Sequence, residues 1–421
     1  MRSPYFPLVL SVLFVPLPTR AGDWPGWRGP TGQGISDDKD LPLTWSAKTG
    51  ENILWKVRLP GQDGKTKQDQ NQSSPIVARG KVFVTASYWR AGVEPAKEYP
   101  EHHVVCYDAA DGKQLWDAKV EPGPWKLTDL RGGYTAPTPA CDGERVYVVF
   151  GSSVIAALSL DGKPLWRKEI VPFDFDVAIG SSPVVYRETV LLQCDGIKKS
   201  SRLVAFDRRT GAVKWEQKRP QNDFSHSTPV LVRVGDREQL LVAASNAVQG
   251  VDPADGTVLW WCAGKGDTVS PVLGAGVVYC DSGRGGLAVA VDPTGSGDVT
   301  ASHLKWKVAV VPEGFSSPVI VGGYLYRLHN PGILKCWKLA TGELAFGERL
   351  EGISTASSPF ATPDGRTYLA SAGKTFVLKA GPKLEVLAVN DLGDASPASP
   401  AASGGRIYLK GREQLYCVGK K

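Results

Sequence analysis

The amino-acid sequence predicts an all-β protein: an eight-bladed β-propeller of four-stranded blades, closed by its N- and C-terminal strands in one blade. Three observations predict it. A Ser/Thr-Pro signature recurs eight times; a second signature, an Asp turn with Gly followed by an aromatic residue, recurs between its copies; and the last repeat stops one strand short while a spare strand stands near the start. Composition agrees. Of 421 residues 42% are hydrophobic, enough to fill an interior, and Gly 47 with Pro 31 implies many short elements joined by turns.

Residues 1–21 read as a secretory leader. Arg2 supplies the positive end, Phe6 to Val15 the apolar core, and Thr19-Arg20-Ala21 the small residues before cleavage at Gly22. The apolar stretch is too short to span a bilayer, and no later segment approaches one. With no Cys at the cleavage point a lipid anchor is not expected, and the chain is expected in the periplasm or secreted. Net charge is +6, and two of those charges, Arg2 and Arg20, leave with the leader. That excess is too small for a nucleic-acid or membrane-surface binder. Five His residues speak against a histidine-rich metal centre, and no metal site is assigned.

After a leading segment at 22–44, the propeller is expected over 45–421. The first signature falls at Ser74-Pro75, Thr138-Pro139, Ser182-Pro183, Thr228-Pro229, Ser270-Pro271, Ser317-Pro318, Ser358-Pro359 and Ser399-Pro400; its prolines are 64, 44, 46, 42, 47, 41 and 41 residues apart. Each opens an apolar run, a turn and a second β-rich run, which is a hairpin pattern. The second signature places an aromatic four residues after the turn Gly: Trp116, Trp166, Trp215, Trp260 and Phe346, with Trp306 reached through an insertion. Asp caps such a turn and Gly takes its positive φ. The unit at Gly381 is degenerate. The spare strand, Ile53 to Val57 with Trp55, completes the unit of Ser399 to Val418 and belongs beside Tyr408. These seven aromatic residues are expected to hold neighbouring blades together.

Seven Cys are scattered singly, without CxxC or an adjacent pair, and an odd number leaves at least one unpaired. Cys106, Cys336 and Cys417 fill the small-residue slot held by Ala157, Ala205 and Ala290 in other repeats, so they read as small buried apolar groups.

The pattern Ala-x-Asp-x-x-Thr-Gly-x-x-x-Trp, nearly complete at Ala205 to Trp215, resembles the tryptophan-docking repeat of propellers that bind pyrroloquinoline quinone (PQQ). The opening Trp24-Pro25-Gly26-Trp27-Arg28-Gly29-Pro30 resembles the segment preceding the propeller in exported members. The resemblance covers essentially the whole chain after the leader. It implies the fold; for activity it implies either a quinoprotein alcohol dehydrogenase or a non-enzymatic BamB-like scaffold. The dehydrogenases carry two adjacent Cys beside the quinone and a Glu/Asn/Asp set on calcium. This chain has no Cys-Cys pair and no ligand set that maps onto theirs, and it lacks the lipidated Cys of BamB.

The mouth of the ring, built from turns entering the first strands and turns between second and third strands, is where a ligand is expected. Its polar candidates are Tyr134, His226, Asn246, Asp281, Arg284, His329 and Asn330, with Asp174, Asp176 and Asp223 nearby; each also has the plain alternative of satisfying its own loop. Two excursions of the first blade, Gln62 to Ser73 and Ser87 to His102, are expected to rise from the same face. Tyr88, Trp89 and Arg90 there are interface-anchor types and form the expected partner patch. The linker Glu121 to Tyr134 is placed to join them. Gly373-Lys374-Thr375 lacks the first Gly of a P-loop, and no GxSxG or HExxH occurs. The expected function is a monomeric exported scaffold binding a protein partner or small ligand at its loop face without catalysis, and no cofactor is assigned. The alternative is a PQQ- and calcium-dependent dehydrogenase oxidising an alcohol or sugar.

Overall fold

The computed structural model describes residues 22–95, 97–171, 177–353, 357–395 and 397–421; the leader expected over 1–21 lies outside them. Eight antiparallel sheets follow one another around a ring, and the described residues contain no helix. Each blade runs from an inner strand that follows a Ser/Thr-Pro step to an outer strand that carries the aromatic, except in the blade of the degenerate unit, whose outer strand Glu385–Asp391 has none. The eighth blade joins Ala401–Ser403, Arg406–Lys410 and Gln414–Gly419 to the early strand Ile53–Arg58. Trp55 stands opposite Cys417 there, and its ring lies 5.9 Å from that of Tyr408. Radial repetition leaves only short inner and outer sheet edges, protected by the neighbouring blades. The insertion before Trp306 adds a short strand, Gly297–Asp298, parallel to Trp260 and Trp261 on the neighbouring blade.

The Ser/Thr-Pro step has a physical reason that hairpin pattern alone does not show. Pro costs no ladder bond at the start of an inner edge strand. The hydroxyl before it accepts the backbone N–H of the same position in the preceding blade. Ser74 N–H donates to Thr138 Oγ1 at 2.9 Å, Thr138 to Ser182 at 3.0 Å and Ser182 to Thr228 at 3.0 Å. Ser270 donates to Ser317 at 3.0 Å, Ser317 to Ser358 at 2.8 Å, Ser358 to Ser399 at 2.9 Å and Ser399 back to Ser74 at 2.9 Å. A hydroxyl belt thus runs around the axis, interrupted only between Thr228 and Ser270, and satisfies N–H groups that burial would otherwise strand.

At the rim, indoles bridge the blades. Trp55, Trp116, Trp166 and Trp306 donate Nε1–H to Ala109, Leu160, Arg208 and Leu339 of the next blade. Each ring lies flat on the turn Gly of that blade: a Cβ on Gly112 would stand 2.7 Å from Trp55, and one on Gly211 2.6 Å from Trp166. Trp215 covers Gly256 in the same way. Trp260 departs from the pattern. It is fully buried and donates to Gln239 within its own blade at 2.7 Å. Phe346, with no N–H to give, packs 6.3 Å from Tyr326. All seven Cys are free and buried. Cys106, Cys336 and Cys417 face Trp116, Phe346 and Trp55 directly across the sheet, where only a small side chain fits beside a large ring.

The leading segment is not a loose extension. It lies across the end of the ring where first and second strands turn. Trp24 pairs with Val77, Cys141 N–H donates to Pro25 O at 2.7 Å, Leu273 N–H to Gln33 Oε1 at 2.7 Å, and Ser36 N–H to Ala361 O at 2.9 Å. Gly405 N–H reaches Asp38 at 3.1 Å. From this layer Trp27 projects inward, and its indole N–H donates to Ser270 Oγ of the belt at 3.1 Å.

Candidate functional site: the axial cavity

Opposite the leading segment the axis opens into a cavity of about 350 Å³, within the range of small-ligand sites. Trp27 lines it, together with the belt residues Ser182, Thr228 and Ser270, with Arg131, His226 and Thr268, and with Arg284 and Phe315. Arg284 begins the third strand of its blade, Arg284–Val291, directly after the turn at Asp281. Its guanidinium stands 5.9 Å from the Phe224 ring and 5.8 Å from the Phe315 ring, and pairs with the Asp267 carboxylate. Burial raises the Asp267 carboxyl, and Arg284 partly offsets this. His226 is pushed down to about 4 by burial, with the Arg284 charge acting in the same sense, so the imidazole is neutral near pH 7.

Of the seven residues expected to share the mouth, His226 and Arg284 line the cavity and the others do not. Asp281 is fully buried. It accepts two bonds from Arg327, at 2.8 and 3.0 Å, one from Tyr279 at 2.8 Å and one from Gly283 N–H at 2.7 Å. Burial is the largest influence and acts to raise its carboxyl, but the Arg327 charge together with the hydrogen bonds from Arg327, Tyr279 and Gly283 N–H holds the group below the ordinary range. His329 is also buried, against Trp337, with Nδ1 2.9 Å from Pro312 O. Tyr134 is a core residue of the loop layer; its hydroxyl accepts Leu127 N–H at 3.1 Å. Asn246 and Asn330 are exposed and bond to Gln221 O and Glu313. Asp223 is exposed as well, and Asp174 and Asp176 lie outside the described residues. Sequence reasoning missed Trp27, Arg131 and Phe315, although Phe315 stands two residues before a Ser-Pro step, where a mouth residue belongs.

The excursions of the first blade also differ from expectation. Ser87 pairs with His102 and Tyr88 with Glu101, so the hairpin strands continue and the loop proper begins after Trp89. Lys67–Gln68 adds a strand beside Trp89 and Tyr88, so the two excursions form one raised sheet. The linker packs against it through Leu127 and Tyr134. Trp89 is therefore buried, its ring 6.1 Å from Tyr134 and its Nε1–H donated to Glu98 O. It is an internal prop and no exposed anchor. Tyr88 is half-buried and stacks on His103 at 4.8 Å, and Arg90 is exposed and paired with Glu101.

Two further chemistries fail on geometry. His102 Nε2 lies 2.9 Å from Ser152 Oγ, but both side chains are buried and His102 Nδ1 has no partner to orient it. Nothing can reach this pair, so it is no nucleophile and base. A calcium beside a quinone needs a cluster of oxygen ligands. Among the described residues no three His, Cys, Asp or Glu side chains are grouped to hold a metal, and no carboxylate lines the cavity. The described residues do not fit that ion.

A family model described as outer membrane protein assembly factor BamB matches residues 100–348. Among solved structures the chain is similar to BamB from Moraxella catarrhalis, with a TM-score of 0.59 and 12% identity over 87% of this chain and 98% of that one. It is similar to the quinohemoprotein alcohol dehydrogenase from Comamonas testosteroni, at 0.66 and 14% over 96% and 81%. It is similar too to a europium-containing methanol dehydrogenase, at 0.67 and 12% over 92% and 89%. At these identities the structural likeness carries the fold alone. No curated protein matches the chain.

Proposed function

Because this chain belongs to the family described as outer membrane protein assembly factor BamB, we propose that it is an exported, non-catalytic scaffold that binds a protein partner or small ligand at its loop face. One observation carries the reading. The cavity is lined by two guanidinium groups, a neutral imidazole, hydroxyls and aromatic rings, and by no carboxylate. The neighbouring carboxylate, Asp267, is tied to Arg284. Such a surface can bind and orient, but among the described residues lining it the one base is an imidazole that burial, pushing it down to about 4, leaves weakly basic, and there is no hard-cation site. Export rests on the leader at 1–21, and no helix of the described residues is long and apolar enough to cross a membrane.

The test is a titration of the purified full chain with PQQ and Ca²⁺, following quinone absorbance and dye reduction with mixed alcohols and sugars. The scaffold reading expects no stoichiometric binding and no turnover. Quinone bound one to one, with dye reduced, would replace it with the dehydrogenase reading. The partner face is tested by crosslinking in the extracytoplasmic fraction with a photoreactive residue at position 90. A discrete adduct supports that face, and labelling no stronger than at an outer-rim position removes it.

A further inference from the structure

We infer that Arg28 forms an anion site buried between the leading segment and the inner strand that follows Pro318, occupied in solution by a small monovalent anion of chloride size. Arg28 follows Trp27 in the leading segment and is 3% exposed. Its Nη2 donates to Pro318 O at 2.5 Å, while Nε and Nη1 are buried without any partner. Three N–H groups of a cation are thus left unsatisfied in the interior. A second buried guanidinium, Arg327, is close enough to act on Arg28, and the carboxylate beside Arg327, Asp281, is already engaged by it in two bonds. Two buried positive charges therefore share one negative charge.

Burying an uncompensated ion costs several kcal/mol even after relaxation, against a total stability of about 5–15 kcal/mol. Losing the proton is no escape for a guanidinium near neutral pH. Burial and the Arg327 charge push the group down only to about 9, which leaves it charged. Water would satisfy the N–H groups but not the charge; an anion satisfies both. Enclosure sets the size. The leading segment folds back over Arg28, with Gly34 N–H donating to Arg28 O at 2.9 Å, and a Cβ on Gly34 would stand 2.7 Å from Nη2.

The experiment compares thermal unfolding of the full chain in sodium chloride and in sodium gluconate at matched ionic strength, and collects anomalous diffraction from bromide-grown crystals. Chloride should raise Tm saturably by about 2 °C, and an anomalous peak should lie within hydrogen-bond reach of Arg28. Arg28→Met, an apolar replacement of the kind often tolerated for buried charges, should melt alike in both salts. Equal melting of the native chain in both salts, an anion response that survives in Arg28→Met, or water density in place of bromide would each overturn the site.

Discussion

A hydroxyl in the belt and an imidazole in the loop layer show how much single atoms decide here. Ser182 Oγ accepts the buried Thr138 N–H, so Ser182→Ala should cost about 1–3 kcal/mol, the price of stranding that donor. Ser182→Thr should restore most of it, because Thr fills the same role at 138 and 228; urea denaturation measures both. His102, stacked on Phe150 and buried, is pushed down to about 3 by that burial. An unfolded His titrates near 6.5. Between these values the unfolded chain binds more protons, so stability falls as pH drops from about 6.5 towards 3. His226 and His329, both pushed to about 4 by burial, act in the same sense. Asp195, raised to about 6 by burial against the opposing Arg219 charge, acts in the other. His102→Gln should lower the slope of stability against pH by about 1.4 kcal/mol per unit between pH 6 and 4. An unchanged slope in denaturation series at those pH values would show that His102 does not titrate on unfolding.

Between blades the working unit is a turn on one side and a ring on the other. Gly211 has φ +70°, and its missing Cβ is where Trp166 lies. Gly235 has a similar φ, +58°, with open space around it. Gly235→Ala should therefore cost only the backbone term, about 1–2 kcal/mol, while Gly211→Ala should add the displacement of the indole and cost about 3 kcal/mol or more. Equal losses would mean that the ring yields freely. The turn and aromatic spacing made these pairs legible in the sequence, because both ends of the contact repeat. Trp260 was not legible as an exception: Gln239, on its own blade, captures the indole, and no spacing signals that competition.

At the scale of the whole molecule, closure is the property on which the rest stands. The strand Gln414–Gly419 joins the first strand to the last blade, and Lys410 reaches back to Asn71, Ser73 and Thr85 of the first blade with bonds of 2.9–3.2 Å. A chain ended at Gly411 should lose its single cooperative calorimetric transition, since it leaves two blades without their shared seam. Retention of one sharp transition at an unchanged temperature would show that the eighth blade is dispensable. The leading segment belongs to this scale too, because it touches inner strands far apart in the chain and carries Trp27 to the axis.

Blade number, ring closure and the small slots opposite the rings were set by the sequence alone, since each depends on a local pattern that repeats from blade to blade and so can be read many times over. The site was decided by the tertiary structure. His226 and Arg284 meet Trp27 and Phe315 only because the ring brings four distant stretches to one axis, while Asp281 and Tyr134, of equally suitable chemistry, are drawn into the interior by Arg327 and by the loop layer. A polar residue in a mouth turn can face the channel or satisfy a buried neighbour, and that choice depends on partners on other strands and blades, such as Arg327 for Asp281, which no local pattern records.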